Sequence, residues 1–330
     1  MHKVILDTDP GIDDTMAIAY ALCHPDIDLL GLTTVFGNVN IEKATRNAQY
    51  VLQMLGASKV KVAKGAAVPL VQGPMPHAEF VHGEDGLGNC HDASVSYEPT
   101  AAHATLLALD AADYIIEQAR MYPGEITLIA VGPLTNIATA LEREPKLPEL
   151  VQQLIIMGGT VTEPGNVSPV TEANFLGDPH AADQVLGASW PATIVGLDVT
   201  HQILITDTHL KRLQGSGAKT GALIWQTSRF YVDFYSSKGA AAEELEPACA
   251  MHDAAAVAYL LIPDAFGVVS GPARVIHDGV AVGQLALDRR GYEYGLTYWQ
   301  DRPNCHACMQ VDDTRVLAHF IDTIVNHRLC

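Results

Sequence analysis

The sequence lacks the apolar run of about 18 residues that a membrane-spanning helix requires. It also lacks the basic segment followed by an apolar stretch that marks a secretory signal. Basic residues are few, with 20 Lys and Arg against 38 Asp and Glu, which gives a formal net charge of −18. No Lys/Arg cluster interrupts this acidic balance, which argues against binding to the phosphate backbone of nucleic acids. We therefore expect a soluble, cytoplasmic protein without a nucleic-acid or membrane partner.

Cysteine is also scarce, and its six residues are scattered except for the pair Cys305 and Cys308. A single C-x-x-C without a second pair is a weak signal for structural zinc. The flanking segments 296–299 and 309–311 have the composition of strands. The preferred interpretation is reduced thiols in or beside a strand, with zinc as the alternative.

Apolar stretches alternate with helical patterns along most of the chain. Strands are predicted at 3–6, 29–35, 126–130, 154–157 and 192–197, and helices at 16–22, 44–55, from 134 onward, and at 254–261. This alternation predicts an α/β fold with an open, mostly parallel sheet and helices on both faces. With 330 residues, 48% of them hydrophobic, and no low-complexity linker, we expect one domain over residues 1–330. Residues 206–250 look mostly helical, and 270–312 look rich in strands.

Four aspartates crowd the first predicted strand-to-helix turn: Asp7, Asp9, Asp13 and Asp14. The carboxyl ends of strands are where open α/β sheets bind ligands. Crowded carboxylates repel one another unless a cation neutralises them, and all-oxygen ligands suit calcium or magnesium rather than zinc. The alternative is that the aspartates only cap the helix and favour its dipole, but one carboxylate would suffice for that.

Polar residues and glycines follow several of the other predicted strands. Taken singly, each is more often a turn residue than a ligand. Together they describe one polar edge of the sheet, although composition alone does not name its substrate. The segments concerned are 36–38, 131–136, 157–160 and 198–201, joined by His252-Asp253 before an apolar helix.

These motifs, in this order, resemble the inosine–uridine preferring nucleoside hydrolase family. The resemblance is carried by Asp7-Thr8-Asp9-Pro10-Gly11-Ile12-Asp13-Asp14, Thr33-Thr34-Val35-Phe36-Gly37-Asn38, Gly132-Pro133-Leu134-Thr135-Asn136, Met157-Gly158-Gly159, Glu172-Ala173-Asn174 and His252-Asp253. It implies a nucleoside hydrolase fold with a Rossmann-like sheet, hydrolysis of the N-glycosidic bond of ribonucleosides such as inosine or uridine, and a bound Ca²⁺. It also implies a homodimer or homotetramer.

The resemblance assigns the metal ligands. It implies that Asp9, Asp14 and Asp253 bind calcium through their carboxylates and Val131 through its backbone carbonyl. Asp9 is also the expected general base for the attacking water. Asp13 is expected to accept a hydrogen bond from a ribose hydroxyl.

Ribose recognition is assigned by the resemblance to Asn38, Asn166, Glu172 and Asn174. Amides and a carboxylate can donate to and accept from hydroxyls, as sugar binding requires. For Asn166 the alternative is a turn residue, and Glu172 and Asn174 face one side only if their segment is extended. Met157 is expected to pack near the ribose, with core packing as the alternative.

Departure of the base is expected to involve His252, which matches the family's leaving-group acid and ordinarily titrates near neutrality. His82 lies on a glycine-rich stretch that resembles the mobile loop of the family. Tyr231 and Tyr235 lie at i and i+4 on a predicted helix, where they could contact the base or pack in the core. The segment 236–251 departs from the family pattern, which leaves purine versus pyrimidine preference open.

Two other classes of function share some of these features. A phosphohydrolase with an aspartyl nucleophile also has D-x-D after an apolar strand, but it needs a downstream lysine and leaves Asp13 and Asp14 unexplained. A non-catalytic ribose-binding or nucleoside-binding protein would explain the sugar ligands but not the crowded carboxylates beside a histidine.

Overall fold

A nine-stranded sheet forms the centre of the molecule, which a computed structural model describes over residues 1–90, 106–238, 246–292 and 295–327. Its strands lie in the order β10-β9-β11-β6-β5-β4-β1-β2-β3, and β7 and β8 pair separately as a small antiparallel sheet. The strands are β1 (His2–Thr8), β2 (Ile27–Thr34), β3 (Lys61–Lys64), β4 (Ile126–Ala130), β5 (Gln153–Met157), β6 (Ala192–Val195), β7 (Leu204–Thr206), β8 (Ala248–Ala250), β9 (Phe266–Val275), β10 (Leu285–Leu287) and β11 (Asn304–Val311).

The pairing from β3 to β11 is parallel, whereas β9 pairs antiparallel with both β11 and β10 at one edge. From β1 the chain moves outward through β2 and β3, then returns to the other side of β1 and continues through β4, β5 and β6. The order therefore reverses between β1 and β4. In open α/β sheets, the crevice at such a switch point is where ligands bind.

Helices cover both faces of the sheet. Alternate residues of each central strand point to opposite sides, so each face carries apolar side chains that the helices bury. Leu6 and Ile129 belong to the core on one face, and Ile5 and Leu128 belong to the core on the other. The helices are α1 (Ile12–Cys23), α2 (Ile41–Met54), α3 (Glu79–His82), α4 (Ala111–Met121), α5 (Thr135–Arg143), α6 (Leu147–Leu150), α7 (Ala173–Gly177), α8 (Pro179–Leu186), α9 (Leu197–Thr200), α10 (Asp207–Gly215), α11 (Lys219–Lys238), α12 (His252–Leu261) and α13 (Asp313–Asn326).

The predicted mostly parallel sheet with helices on both faces is confirmed. Within 206–250, helices α10 and α11 confirm the helical prediction, and 239–245 lie outside the described residues. The strand predicted at 296–299 is wrong, because Thr297–Trp299 form a 3₁₀ turn in which Tyr298 is exposed. Among the described residues, none of the helices combines the length and the apolar character needed to cross a membrane.

The cysteine pair on β11 does not form a metal site. Cys305 packs into the core on one face of the sheet and Cys308 into the core on the other, so their thiols cannot hold one ion. Both are free and buried. The pair lies within a strand, as the preferred interpretation expected, whereas Cys330 lies outside the described residues.

Candidate active site

The acidic residues meet at the switch point between β1 and β4. The end of β1 delivers Asp9, and the first turn of α1 delivers Asp13 and Asp14. Asp253 arrives from a distant part of the sequence, because α12 packs against α1 and begins at the same edge of the sheet. Val131 follows the last residue of β4. The fold thus brings the four predicted metal ligands and Asp13, the predicted partner of a ribose hydroxyl, to one edge of the sheet.

Oxygen atoms of Asp13, Asp14 and Asp253 lie within 4.8 Å of one another. Asn38 joins Asp9 to this group, since its backbone N–H donates to Asp9 Oδ2 (2.6 Å) and its side-chain Nδ2 donates to Asp14 Oδ2 (3.1 Å). All four carboxylates are buried. In the described part of the chain, Asp9 Oδ1 and Asp13 Oδ1 are buried without any hydrogen-bond partner. These free oxygens point to a ligand that supplies positive charge or hydrogen-bond donors.

The electrostatics of the cluster agree with this interpretation. Burial raises the pKa of Asp13 and of Asp14 to about 6, and for Asp14 repulsion from Asp13 adds to the effect. Burial, and then repulsion from neighbouring aspartates, also raises the pKa of Asp9 and of Asp253 well above the usual range. A cation among the four carboxylates would relieve both effects.

Two glycines leave the space that the Asp9 carboxylate occupies. A Cβ atom on Gly37 would lie 2.0 Å from Asp9 Oδ2, and one on Gly132 would lie 2.6 Å from Asp9 Oδ1. Neither distance is tolerable for a non-bonded pair, so any side chain at these positions would displace Asp9. The glycines that follow two parallel strands therefore serve the placement of this carboxylate.

The amide of Asn174 sits beside the predicted metal-binding carbonyl. Its Nδ2 donates to the backbone oxygens of Val131 (3.0 Å) and Met157 (3.1 Å). It also lies 3.4 Å from the Met157 sulfur. Asn174 thus links the backbone oxygens of Val131 and Met157, and Met157 is buried in the core as well.

Glu172 and Asn166 have a different local setting from the extended segment considered in the sequence analysis. Helix α7 begins directly after Glu172, whose carboxylate caps it by accepting from the backbone N–H groups of Asn174 (2.8 Å) and Phe175 (3.1 Å). The same carboxylate accepts from Gly159 N–H (2.8 Å). Asn166 is exposed, and its Oδ1 accepts from the N–H of Ala173. Both residues organise the loop between β5 and α7, and their contact with ribose stays a prediction.

A chain of hydroxyl groups and one imidazole lines the other side of the cluster. Tyr231 OH lies 3.4 Å from Asp13 Oδ2 and 3.5 Å from Tyr235 OH. Tyr235 OH lies 2.7 Å from His252 Nε2, and Thr200 Oγ1 lies 2.7 Å from His252 Nδ1. Burial, with smaller contributions from the two nearby histidines, lowers the pKa of His252 to about 3. The imidazole is therefore neutral at neutral pH, rather than partly charged as an ordinary pKa would allow.

His82 completes this side of the site. It ends the short helix α3, is buried, and accepts a hydrogen bond from the Ile12 N–H at Nδ1 (3.2 Å). Its ring stacks on Tyr231 with 5.5 Å between ring centres, and Nδ1 lies 3.9 Å from Asp13 Oδ1. Burial lowers its pKa to about 4. The structure thus places His82 against Tyr231, one of the two tyrosines predicted to contact the base.

Sequence reasoning assigned no role to several residues that hold this site together. Thr8 donates its hydroxyl to Asp14 Oδ1. Asn136 Nδ2 donates to Asp7 Oδ1 (2.8 Å), which also accepts from the Thr33 hydroxyl (2.6 Å). Thr200 bonds His252, as described above. In the sequence, these residues stand out only by lying within or shortly after strands that reach the polar edge of the sheet. Their hydrogen-bond partners depend on the tertiary fold.

Comparisons with known proteins agree with the site. A family described as inosine-uridine preferring nucleoside hydrolase matches residues 4–318. Probable uridine nucleosidase 2 of Arabidopsis thaliana is 35% identical over 326 residues, covering 98% of this chain and 97% of that protein. A plant nucleoside hydrolase structure, PpNRh1, has a TM-score of 0.90 at 36% identity and covers 98% of this chain and 99% of its own. A purine-preferring ribonucleoside hydrolase from Gardnerella vaginalis has a TM-score of 0.88 at 31% identity, covering 98% of both chains.

The family match covers nearly the whole chain, and the relatives match along nearly their full lengths. The protein is therefore an enzyme, and the two alternatives, a phosphohydrolase and a non-catalytic binding protein, are set aside. The resemblance seen in the sequence is confirmed: this chain belongs to the inosine–uridine preferring nucleoside hydrolase family.

Proposed function

We propose that the protein is a calcium-dependent hydrolase that cleaves ribonucleosides such as inosine or uridine into ribose and free base. Nucleoside hydrolases are metal-dependent in general, and this chain carries a matching acidic cluster. The observation that carries the proposal is the group of four buried carboxylates with free oxygens at the switch point. A homodimer or homotetramer belongs to the same proposal through the family resemblance, and a cytoplasmic location is proposed with it.

The donor set favours calcium. Every candidate ligand is an oxygen atom, and calcium accepts six to eight oxygen ligands in flexible geometry, whereas zinc prefers nitrogen and sulfur. Asp9, Asp14, Asp253 and the Val131 carbonyl would hold the ion, and Asp13 offers a further oxygen within the same group. When bound, calcium would lower the pKa of a water molecule and help to hold the ribose diol.

Asp9 is suited to act as general base. Its Oδ2 is held by the Asn38 N–H, which fixes the carboxylate, while Oδ1 has no partner among the described residues and can accept a proton from water. Burial and repulsion from Asp14 raise its pKa, which makes its ionised form a stronger base.

The leaving base would receive its proton on the opposite side of the site. Burial raises the pKa of the Tyr231 and Tyr235 hydroxyls, which therefore stay protonated. Neutral His252 lies between two hydroxyls and can accept a proton at one ring nitrogen while it releases one from the other. We propose that Tyr235 and His252 deliver a proton to the base as the N-glycosidic bond breaks: Tyr235 gives its hydroxyl proton to the base and recovers one from Nε2 of His252, which takes its replacement from solvent.

The proposed function is tested by the substrates of the purified, calcium-loaded enzyme. We expect reducing sugar and free base from uridine or inosine, and a rate lower by roughly 10²-fold or more on 2′-deoxyuridine than on uridine. A site built to bind a hydroxyl leaves its buried polar groups unpaired when that hydroxyl is absent. Equal rates on the two substrates would contradict the proposed recognition of the diol.

The same assay, extended to adenosine, guanosine and cytidine, determines base preference. The matched proteins are named for uridine in one case and for purines in another, so the family alone leaves both classes open.

Release of inorganic phosphate from nucleotides with no cleavage of nucleosides would overturn the proposed function.

A second expectation concerns the space around Asp9. Gly37→Ala should lower kcat/KM by roughly 10²-fold, because the new Cβ would push the carboxylate from its position and misplacing a reacting group by about 1 Å can cost that much. The matched control is Gly73→Ala, where a Cβ would meet no atom within 4 Å. Thermal unfolding shows whether a loss of activity comes from displacement of Asp9 or from loss of the fold. A Gly37→Ala protein that is folded and fully active would refute this role of Gly37.

A further inference from the structure

We propose that Asp198 and Thr200, two residues of the short helix α9, are positioning residues for the two sides of the active site. Asp198 fixes the loop that carries the ribose-side residues, and Thr200 orients His252 on the base side. This inference rests on the proposed function and assigns roles to two residues for which neither the motifs nor the metal cluster accounts.

Asp198 gathers the beginning of the loop between β5 and α7 around one buried carboxylate. Its Oδ2 accepts from Val161 N–H (2.7 Å) and the Thr160 hydroxyl (3.4 Å). Its Oδ1 accepts from Thr162 through both N–H (2.7 Å) and hydroxyl (2.6 Å), and from Glu163 N–H (3.2 Å). Three consecutive backbone N–H groups would lose their partner without this carboxylate. A single side chain therefore sets the conformation of the segment 160–163.

That segment connects directly to the ribose side. The loop continues from 163 to Asn166 and then to Glu172, whose carboxylate returns to bind the N–H of Gly159 (2.8 Å). Helix α9 also holds the loop through its backbone, since Leu197 N–H donates to the Gly159 oxygen (3.0 Å). A Cβ on Gly196 would lie 2.6 Å from the same oxygen, so glycine is required for this close approach. Helix α9 and the loop thus form one packed unit.

Thr200 acts on the opposite side. Its hydroxyl is fully buried and lies 2.7 Å from His252 Nδ1, while the other ring nitrogen faces Tyr235 at 2.7 Å. His201 borders the same ring edge-on, with 5.6 Å between ring centres. Bonding at Nδ1 determines which nitrogen of the imidazole carries the proton, and hence whether Nε2 can donate to Tyr235. Thr200 is therefore placed to set the tautomer and the orientation of the ring.

The two roles predict different kinetic signatures. Loosening the ribose-side loop should weaken the binding of every riboside, whatever its leaving group. Loss of the hydroxyl at Thr200 should slow only those substrates whose base must be protonated. Uridine needs a proton on its leaving base, whereas p-nitrophenolate leaves without one, so uridine and p-nitrophenyl riboside distinguish the two effects.

We expect Asp198→Asn to raise KM by roughly 10-fold to 100-fold on both substrates, with a much smaller change in kcat. Thr200→Val should lower kcat on uridine by roughly 10²-fold and leave p-nitrophenyl riboside within about threefold of the wild type. Thr200→Ser, which keeps the hydroxyl, should restore most of the activity on uridine.

The matched controls lie outside the site. Asp183→Asn removes another largely buried carboxylate, which binds Arg274 and Arg302, and Thr193→Val removes another buried hydroxyl, which contacts Tyr259. Both should leave the ratio of the two substrates unchanged, even if the midpoint of thermal unfolding falls.

The outcomes separate this inference from the function on which it rests. If the wild-type enzyme hydrolyses neither riboside, the proposed function fails and the positioning roles fail with it. If the wild type is active and each α9 variant loses both substrates in parallel through kcat, only the positioning roles are overturned. Failure of Thr200→Ser to recover activity on uridine, when the variant is folded, would also refute the role of the hydroxyl.

Discussion

Replacing Asp14 with alanine is expected to remove the bound cation and nearly all hydrolysis of ribonucleosides. The Asp14 carboxylate is the centre of the acidic cluster, since it accepts from Thr8, the Gly11 N–H (2.8 Å) and Asn38 (3.1 Å) and lies beside Asp13 and Asp253. Metal ions contribute several kcal/mol to transition-state stabilisation, so kcat/KM should fall by roughly 10³-fold or more. Metal content by atomic emission and turnover of inosine measure the two losses.

The proposed calcium dependence has a second, independent readout. Chelation with EGTA should lower the unfolding temperature of the wild-type enzyme, because repulsion among buried carboxylates is no longer relieved. Asp14→Ala should be indifferent to EGTA. Asp110→Ala is the matched control, since this half-exposed aspartate caps α4 far from the cluster and its loss should cost only about 1 kcal/mol of stability. Stoichiometric calcium in an active Asp14→Ala enzyme would refute the assignment.

The architecture of the sheet was largely predictable because it depends on local patterns. Apolar strands such as β1 and β4 are buried on both faces, and they read as continuous apolar runs between helical segments. The order of strands is not a local property, so the switch point between β1 and β4 emerges only from the structure. The error at 296–299 has the same origin: aromatic and β-branched residues favour strands only where a pleated surface receives them, and Tyr298 is exposed.

The residues of the site divide in the same way, into those that a local sequence pattern indicates and those that depend on the tertiary fold. Asp9, Asp13 and Asp14 are neighbours in sequence, so their crowding alone indicated a cation. Asp253 joins them only because α12 packs against α1, and it was found through the family resemblance. The capping role of Glu172 escaped prediction because it depends on where α7 begins.

The hydrogen bond between Thr200 and His252 escaped prediction for a different reason. The partners of a buried hydroxyl depend on which element packs against it, and no local pattern encodes that contact. The same holds for the lowered pKa of His252, which is caused mainly by burial that the sequence does not reveal.

His252→Ala should slow hydrolysis of inosine or uridine by roughly 10²–10⁴-fold, the usual contribution of a positioned general acid. It should leave p-nitrophenyl riboside largely unaffected, because p-nitrophenolate departs without a proton and the carboxylates and ribose contacts are unchanged. Tyr235→Phe breaks the same hydroxyl chain at 2.7 Å from Nε2 and should show the same selectivity with a smaller loss. Steady-state kinetics on the two substrate types measure the effect.

Three results of this experiment lead to three different conclusions about His252. Selective loss on inosine and uridine identifies the imidazole as part of proton delivery to the base. Parallel loss on both substrate types would mean that His252 acts by orienting its neighbour Asp253, and the metal content of the variant would then fall as well. Unchanged activity on both would exclude His252 from proton delivery. His82, stacked on Tyr231 beside Asp13, is the next candidate in that case, and His82→Ala on the same two substrates tests it directly.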